Sequence, residues 1–164
     1  MYYIISFLYK NDEYYCIWFS GDEDYVLANQ NHLMVFHNID VLLKYASENC
    51  ILLENESVSK YDINAIVLWL KNTDYINIDC DMLMNFWNIC TDVANGTTEH
   101  FIGIEKRYNT LYEKLFCGNN ILTTKNKKYI PFFSNDEIET LRDVINNGLN
   151  IIVKNLITET QGTV

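Results

Sequence analysis

The stretch from Asp79 to Gly96, DCDMLMNFWNICTDVANG, most limits what this chain can fold into. Its apolar residues, Met82, Leu83, Met84, Phe86, Trp87, Ile89, Cys90, Val93 and Ala94, leave few sides of a helix free of hydrocarbon. A helix with one apolar stripe lies on a surface, whereas one that is apolar most of the way round must be wrapped by other elements. Asp79 is placed to accept backbone N–H groups as N-cap, and Asp81 adds negative charge to the first turn. Gly96 is expected at the left-handed position that stops the helix. The stretch is too short and too polar to span a bilayer. It predicts a central core helix, with Trp87 inside.

A chain of 164 residues can build one domain large enough to surround such a helix. Hydrophobic content of 49% and aromatic content of 14% are those of a folded protein. With one proline, no low-complexity tract and no internal repeat, the expectation is a single domain over 1–164. Within it, 1–53 is expected to be strand-rich with one helix, and 61–157 helical. The start, MYYIISFLYKND, lacks a basic region and a small-residue cleavage site, and reads as a strand rather than a signal peptide.

Met1–Tyr9 and Tyr14–Phe19 are rich in Tyr, Ile, Phe and Trp, and Lys10–Glu13 between them carries turn residues, so a β-hairpin is expected. Ser20–Asp24 is a polar, acidic turn. Tyr25–Ala28 and Leu33–Phe36 read as two further short strands around Asn29–Asn31, which completes an antiparallel meander of about four strands. Asn38 can cap a helix through Ile39, Leu42, Leu43 and Ala46. Cys50–Leu53 is a short apolar run that could form another strand, Glu54–Lys60 reads as loop, and Asp62 can cap a helix over Ile63–Lys71. After Gly96, Phe101, Ile104, Tyr108, Leu111, Tyr112 and Leu115 follow the helical period, ended by Gly118. Asn119–Phe133 is a long connection with a basic cluster, Lys125, Lys127 and Lys128, and Pro131 excludes helix there. Ser134-Asn135-Asp136-Glu137 is a capping box. It opens a helix whose stripe is Ile138, Leu141, Val144, Ile145, Leu149, Ile152 and Leu156, with Gly148 as a place for a break or bend. Thr158–Val164 is a tail. Strands first and helices after predict an α+β domain, an N-terminal antiparallel meander followed by a mainly helical half packed on one face of it.

The residues offer little chemistry. His32 and His37 are five apart, on opposite faces of a strand, and the third histidine, His100, stands alone. Cys16, Cys50, Cys80, Cys90 and Cys117 are odd in number and widely spaced without C-x-x-C, which indicates neither a disulfide framework nor a zinc site and suits a reducing cytoplasm. No nucleophile elbow, phosphate-binding loop, zinc-protease motif or dinucleotide glycine pattern occurs. No cofactor or metal is therefore expected. The acid pairs Asp12/Glu13, Asp79/Asp81 and Asp136/Glu137 have structural roles as turn and cap residues. The trio Asp22, Glu23 and Asp24 has none, and reads either as a docking patch for a basic partner or as a solvated hairpin tip. A net charge of −10 argues against nucleic acid as a direct ligand and permits a basic protein partner, though it also serves solubility alone.

The segments LMNFWNICTDVANGT (83–97), LYEKLFCGNN (111–120) and YIPFFSNDEIETLRDVINNGLNII (129–152) resemble those of bacterial immunity proteins of contact-dependent growth inhibition systems. The resemblance is strongest over 79–152. It implies a cytoplasmic, non-enzymatic protein that binds the C-terminal toxin domain of a cognate effector, often a nuclease. Such a protein neutralises the toxin by occluding its active site or its substrate-binding face. Contact residues cannot be carried over from the shared segments, which are core, cap and turn residues. The expected toxin-binding residues come from the charge pattern instead: Asp22, Glu23 and Asp24, with Asp12, Glu13 and Tyr25. The alternative is a small cytoplasmic hydrolase or an adaptor subunit with a dispersed site.

Overall fold

The computed structural model describes residues 1–72, 78–121 and 128–158. Its elements are α+β in the expected order, strands first and helices after. Strands β1 (Tyr2–Tyr9) and β2 (Asp12–Phe19) form an antiparallel hairpin in continuous register from Tyr2↔Phe19 to Tyr9↔Asp12. The turn is therefore Lys10-Asn11 alone, and Asp12 and Glu13 belong to the strand. Lys10 takes a left-handed φ of 57°. Asn64 clamps it, its Oδ1 accepting from the Lys10 N–H (2.7 Å) and its Nδ2 donating to the Lys10 carbonyl (3.2 Å).

The rest of the meander is more broken than expected. β3 is only Tyr25–Val26, antiparallel to β2, while β4 (Ala28–Asn29) and β5 (His32–Leu33) form a separate two-stranded ribbon. Phe36 returns to Tyr15 by a single bridge. The fourth strand of the main sheet comes from the segment expected as loop: β6 (Leu53–Asp62) runs parallel to β1, giving the order β3-β2-β1-β6. Its polar sequence hid it. In the sheet order β6 is an edge strand, and only one of its sides needs to be apolar where it meets a packed layer.

The alternation of side chains along β1 and β2 divides the core between the two faces of the sheet. Ile4 and Ile17 point to one face and pack with Leu42 and Ala46 of α1 (Ile39–Glu48), which Asn38 caps. Ile5, Phe7, Cys16 and Tyr14 point to the other and join the helical half. The helices therefore do not all lie on one face. α1 covers one side, and the other carries α2 (Ile63–Lys71), α3 (Cys80–Thr97), α4 (Asn109–Gly118) and α5 (Asn135–Thr158).

α3 is the central helix. Ten of its residues are buried, Trp87 among them, and Trp87 meets Phe101 and Tyr112 edge-on at centroid distances of 6.0 and 5.6 Å. Asp79 caps it, its carboxylate accepting from the Met82 N–H at 2.9 Å. Gly96 does not stop it: the helix continues to Thr97, and Thr98 takes the left-handed conformation (φ 58°). Gly96 is needed for another reason. A Cβ there would stand 2.0 Å from the Val26 carbonyl oxygen, so the glycine lets β3 lie against the helix backbone.

The helix expected through Phe101–Leu115 begins only at Asn109, after short 3₁₀ turns at Ile102–Ile104 and Lys106–Tyr108. Phe101, Tyr108, Leu111 and Leu115 are buried, but Ile104 is exposed, because the period is met by irregular chain folding over Trp87 rather than by one helix. α5 is unbroken at Gly148, where a Cβ would come within 2.5 Å of the Cys90 sulfur; the glycine marks the crossing of α5 over α3. The capping box is formed: Glu137 N–H donates to Ser134 Oγ (3.3 Å) and Ser134 N–H to Glu137 Oε2 (2.8 Å). Most of the Asn72–Asn77 connection, Lys125 and Lys127, and 159–164 of the tail lie outside the described residues.

Candidate functional site

The acidic residues singled out in the sequence fall into two places. Asp22, Glu23 and Asp24 form the bend between β2 and β3, with Asp22 and Glu23 exposed and Asp24 half-buried. The Asp24 carboxylate holds the bend by accepting from the Gly21 N–H at 3.1 Å, and its carbonyl accepts from Asn95 Nδ2 of α3 at 3.0 Å. Asp12 and Glu13 sit at the far end of β2, a strand roughly 23 Å long at ~3.3 Å per residue, and as neighbours they point to opposite faces. Glu13 already has partners, Ser6 Oγ at 2.8 Å and Lys60 Nζ at 3.0 Å, which hold its carboxyl below the usual range. The structure therefore brings Asp22–Asp24 together and leaves Asp12 and Glu13 apart from them. Tyr25 flanks the bend but is half-buried, stacked on Phe19 with ring centroids 4.9 Å apart, and burial raises its hydroxyl pKa.

Sequence reasoning missed a carboxyl that the fold places behind the bend. Asp92 lies on α3 between Cys90 and Val93, half-buried, where its Oδ2 accepts from the Trp18 indole N–H at 2.9 Å. Burial pushes its carboxyl from 3.8 up to about 6; the Trp18 bond pulls the other way, and the negative charge of Asp24 adds to the rise. Among the described residues no ion pair is made by Asp22, Glu23, Asp24 or Asp92. A lone Asp inside the apolar run 86–94 was the available signal: a charged residue there is either paired or perturbed.

Other chemistry is sparse. Among the described residues no group of three or more His, Cys, Asp or Glu could hold a metal ion. None of the five cysteines forms a disulfide; Cys16, Cys80 and Cys90 are buried, and burial raises the Cys80 and Cys90 thiols, which disfavours the reactive thiolate. A groove of about 450 Å³ lies where the N-terminal end of α3 meets the connection before α5, lined by Ile78, Cys80, Gly118 and the segment Lys128–Phe133. No helix of the described residues is long and apolar enough to cross a membrane. Comparison with known proteins gives no matching family model, no matching curated protein and no matching solved structure.

Proposed function

We propose that this chain is a cytoplasmic immunity protein that binds the C-terminal toxin domain of a cognate contact-dependent growth inhibition effector. On this reading it neutralises a nuclease activity by covering the active site or the substrate-binding face. The observation that carries the reading is the acidic bend: Asp22 and Glu23 exposed without a described cation, Asp24 holding the bend, and behind them the half-buried Asp92, whose carboxyl is raised chiefly by burial and further by the charge of Asp24. Concentrated like charge held by the fold, not relieved within it, favours approach of a basic surface, and a nuclease domain presents such a surface to phosphate. The resemblance of 79–152 to immunity proteins points the same way. The role is binding, not catalysis, and needs no cofactor.

The test is co-expression with a candidate toxin domain, taken from a large secreted protein if one is encoded immediately upstream. Cells carrying both should survive, and the purified pair should associate one to one. Reversing Asp22→Lys and Glu23→Lys, with Asp24 left to hold the bend, should leave the melting temperature unchanged, slow association and flatten its dependence on ionic strength. Unchanged association rate and salt slope would reduce the bend to a solvated turn; failure of the unaltered chain to bind or protect would refute the immunity reading itself.

A further inference from the structure

Two polar residues of α3 hold the corner where β2 turns into β3. Asp92 accepts from the Trp18 indole N–H at 2.9 Å, and Asn95 donates to the Asp24 carbonyl at 3.0 Å. Three residues apart, they share one face of the helix. The next residue, Gly96, lets the Val26 backbone close against α3. Trp18 joins the two layers, because it also pairs with Val26 across the sheet. The strand that the corner leads into is slight. β3 is two residues long and lies at the sheet edge, with the Leu27 N–H bonding to the Ile17 carbonyl (2.8 Å) just beyond it.

Of these ties only the one to Asp92 involves a group that can change charge. Its surroundings are poor in compensation. The bend presents Asp24, a like charge, with Asp22 and Glu23 exposed beyond it. Tyr61 of β6 and Cys90 of α3 are kept neutral, each by burial first and by the Asp92 charge second. His32, on β5, is exposed. The cations of the surrounding elements are engaged elsewhere: Lys60 with Glu13, Arg107 with Glu105, Lys114 with Glu137 and Lys154 with Glu99. Arg142 of α5 donates to the carbonyls of Leu70 and Asn72, and the Met1 ammonium to that of Ser20. An ionised Asp92 therefore meets a neutral indole, a like charge and apolar neighbours, and it gains by reaching water. The way to water lies through the thin corner rather than through the packed core of α3.

We infer that the corner from Trp18 to Val26 is a proton-controlled latch, seated on α3 while Asp92 is protonated and loosened when Asp92 ionises. The inference concerns the free chain and stands whether or not the bend docks a partner. The sign follows from the carboxyl, which burial and then the charge of Asp24 lift from 3.8 to about 6. The seated corner binds the proton more tightly than the open one, so seating weakens as pH rises toward 6 and stays weak above it.

The experiment is hydrogen exchange followed by NMR on the full chain at about pH 5 and pH 7.5, each rate divided by the intrinsic rate of that group at the same pH. The probes are the Leu27 amide and the Trp18 indole N–H. Protection of both is expected to be about three- to tenfold lower at the higher pH, one pH unit below 6 setting the upper figure and partial exposure of Asp92 the lower. In Asp92→Asn, whose amide oxygen can still accept from the indole, that difference should vanish, although the histidines titrate in the same range. Asn95→Ala removes the other side-chain tie, and should lower protection at both pH values while leaving their ratio as in the unaltered chain. Equal protection of the Leu27 and Trp18 probes at the two pH values in the unaltered chain would overturn the latch without need of any variant. So would a pH difference that persists in Asp92→Asn, which would assign it to another group.

Discussion

Replacing Asp92 with Asn should make the protein more stable at neutral pH and remove a pH dependence that the native chain carries. The Asp92 carboxyl is pushed from 3.8 to about 6, so the folded state holds its proton more tightly than the unfolded chain does. Between these values the folded protein binds more protons, and stability falls as pH rises through the window. Above it the full cost of a half-buried carboxylate is present. Two pKa units at ~1.36 kcal/mol each set a ceiling of ~3 kcal/mol, and partial exposure of the group to solvent reduces this to roughly 1–2 kcal/mol. Asn cannot ionise, yet its Oδ1 can still accept from the Trp18 indole, so the 2.9 Å bond is kept. For a chain of this size each kcal/mol moves the melting temperature by about 2–4 °C. Asp92→Asn should therefore melt roughly 2–8 °C higher than the native protein at about pH 7.5, and the gap should close by about pH 4. Paired melts across that range read the difference directly, so titration of the other carboxylates cancels. A gap that stays constant with pH, or a variant that is less stable at neutral pH, would show that Asp92 is not the strained charge it is taken to be. The same charge links to binding: a basic partner on the bend should lower the Asp92 pKa and release protons on association near pH 6.

Three further outcomes follow from the packing. Gly96→Ala should destabilise the fold by ~1–3 kcal/mol in denaturant titration, although Gly→Ala inside a helix ordinarily stabilises, because the new methyl would meet the Val26 carbonyl. Asn155, 1% exposed, accepts from the Leu33 N–H at 3.2 Å and donates to the Ile151 carbonyl; Asn155→Ala leaves that N–H unpaired and should cost ~1–3 kcal/mol, with loss of hydrogen-exchange protection at Leu33. Trp87→Ala should cost ~3–5 kcal/mol in thermal or chemical melts, and a near-native midpoint would contradict its place against Phe101 and Tyr112.

What could be read from the sequence and what could not divide along a physical line. Caps at Asn38, Asp62, Asp79 and Ser134 were legible because a short polar side chain before an apolar period satisfies N–H groups a few residues away. The core face of α3 was legible because nearly all of it is buried. β6 was not, since an edge strand takes its pairing from β1, far off in sequence, and needs little apolar pattern of its own. Phe101–Leu115 misled for the converse reason: apolar spacing records which side chains reach the core, and two 3₁₀ turns can deliver Phe101 and Tyr108 there as well as a helix can.

The candidate surfaces were hidden more deeply, because they depend on what does not pair. The local density of charge drew attention to Asp22–Asp24, but only the fold shows that Asp12 and Glu13 are far from them and that Glu13 is already paired with Ser6 and Lys60. Asp92 passed as one polar residue in an apolar helix until Trp18 and Asp24 were brought to it from β2 and the bend. In the same way, YIPFF reads as an apolar stretch that any core could absorb. The backbone turns Phe133 inward and Ile130 and Phe132 outward, and contacts from Asn120, Lys114 and Gly118 to Tyr129, Phe132 and Pro131 support that division. Local sequence specifies the framework here, while the placing of exposed charge and exposed hydrocarbon is set by contacts between elements distant in the chain.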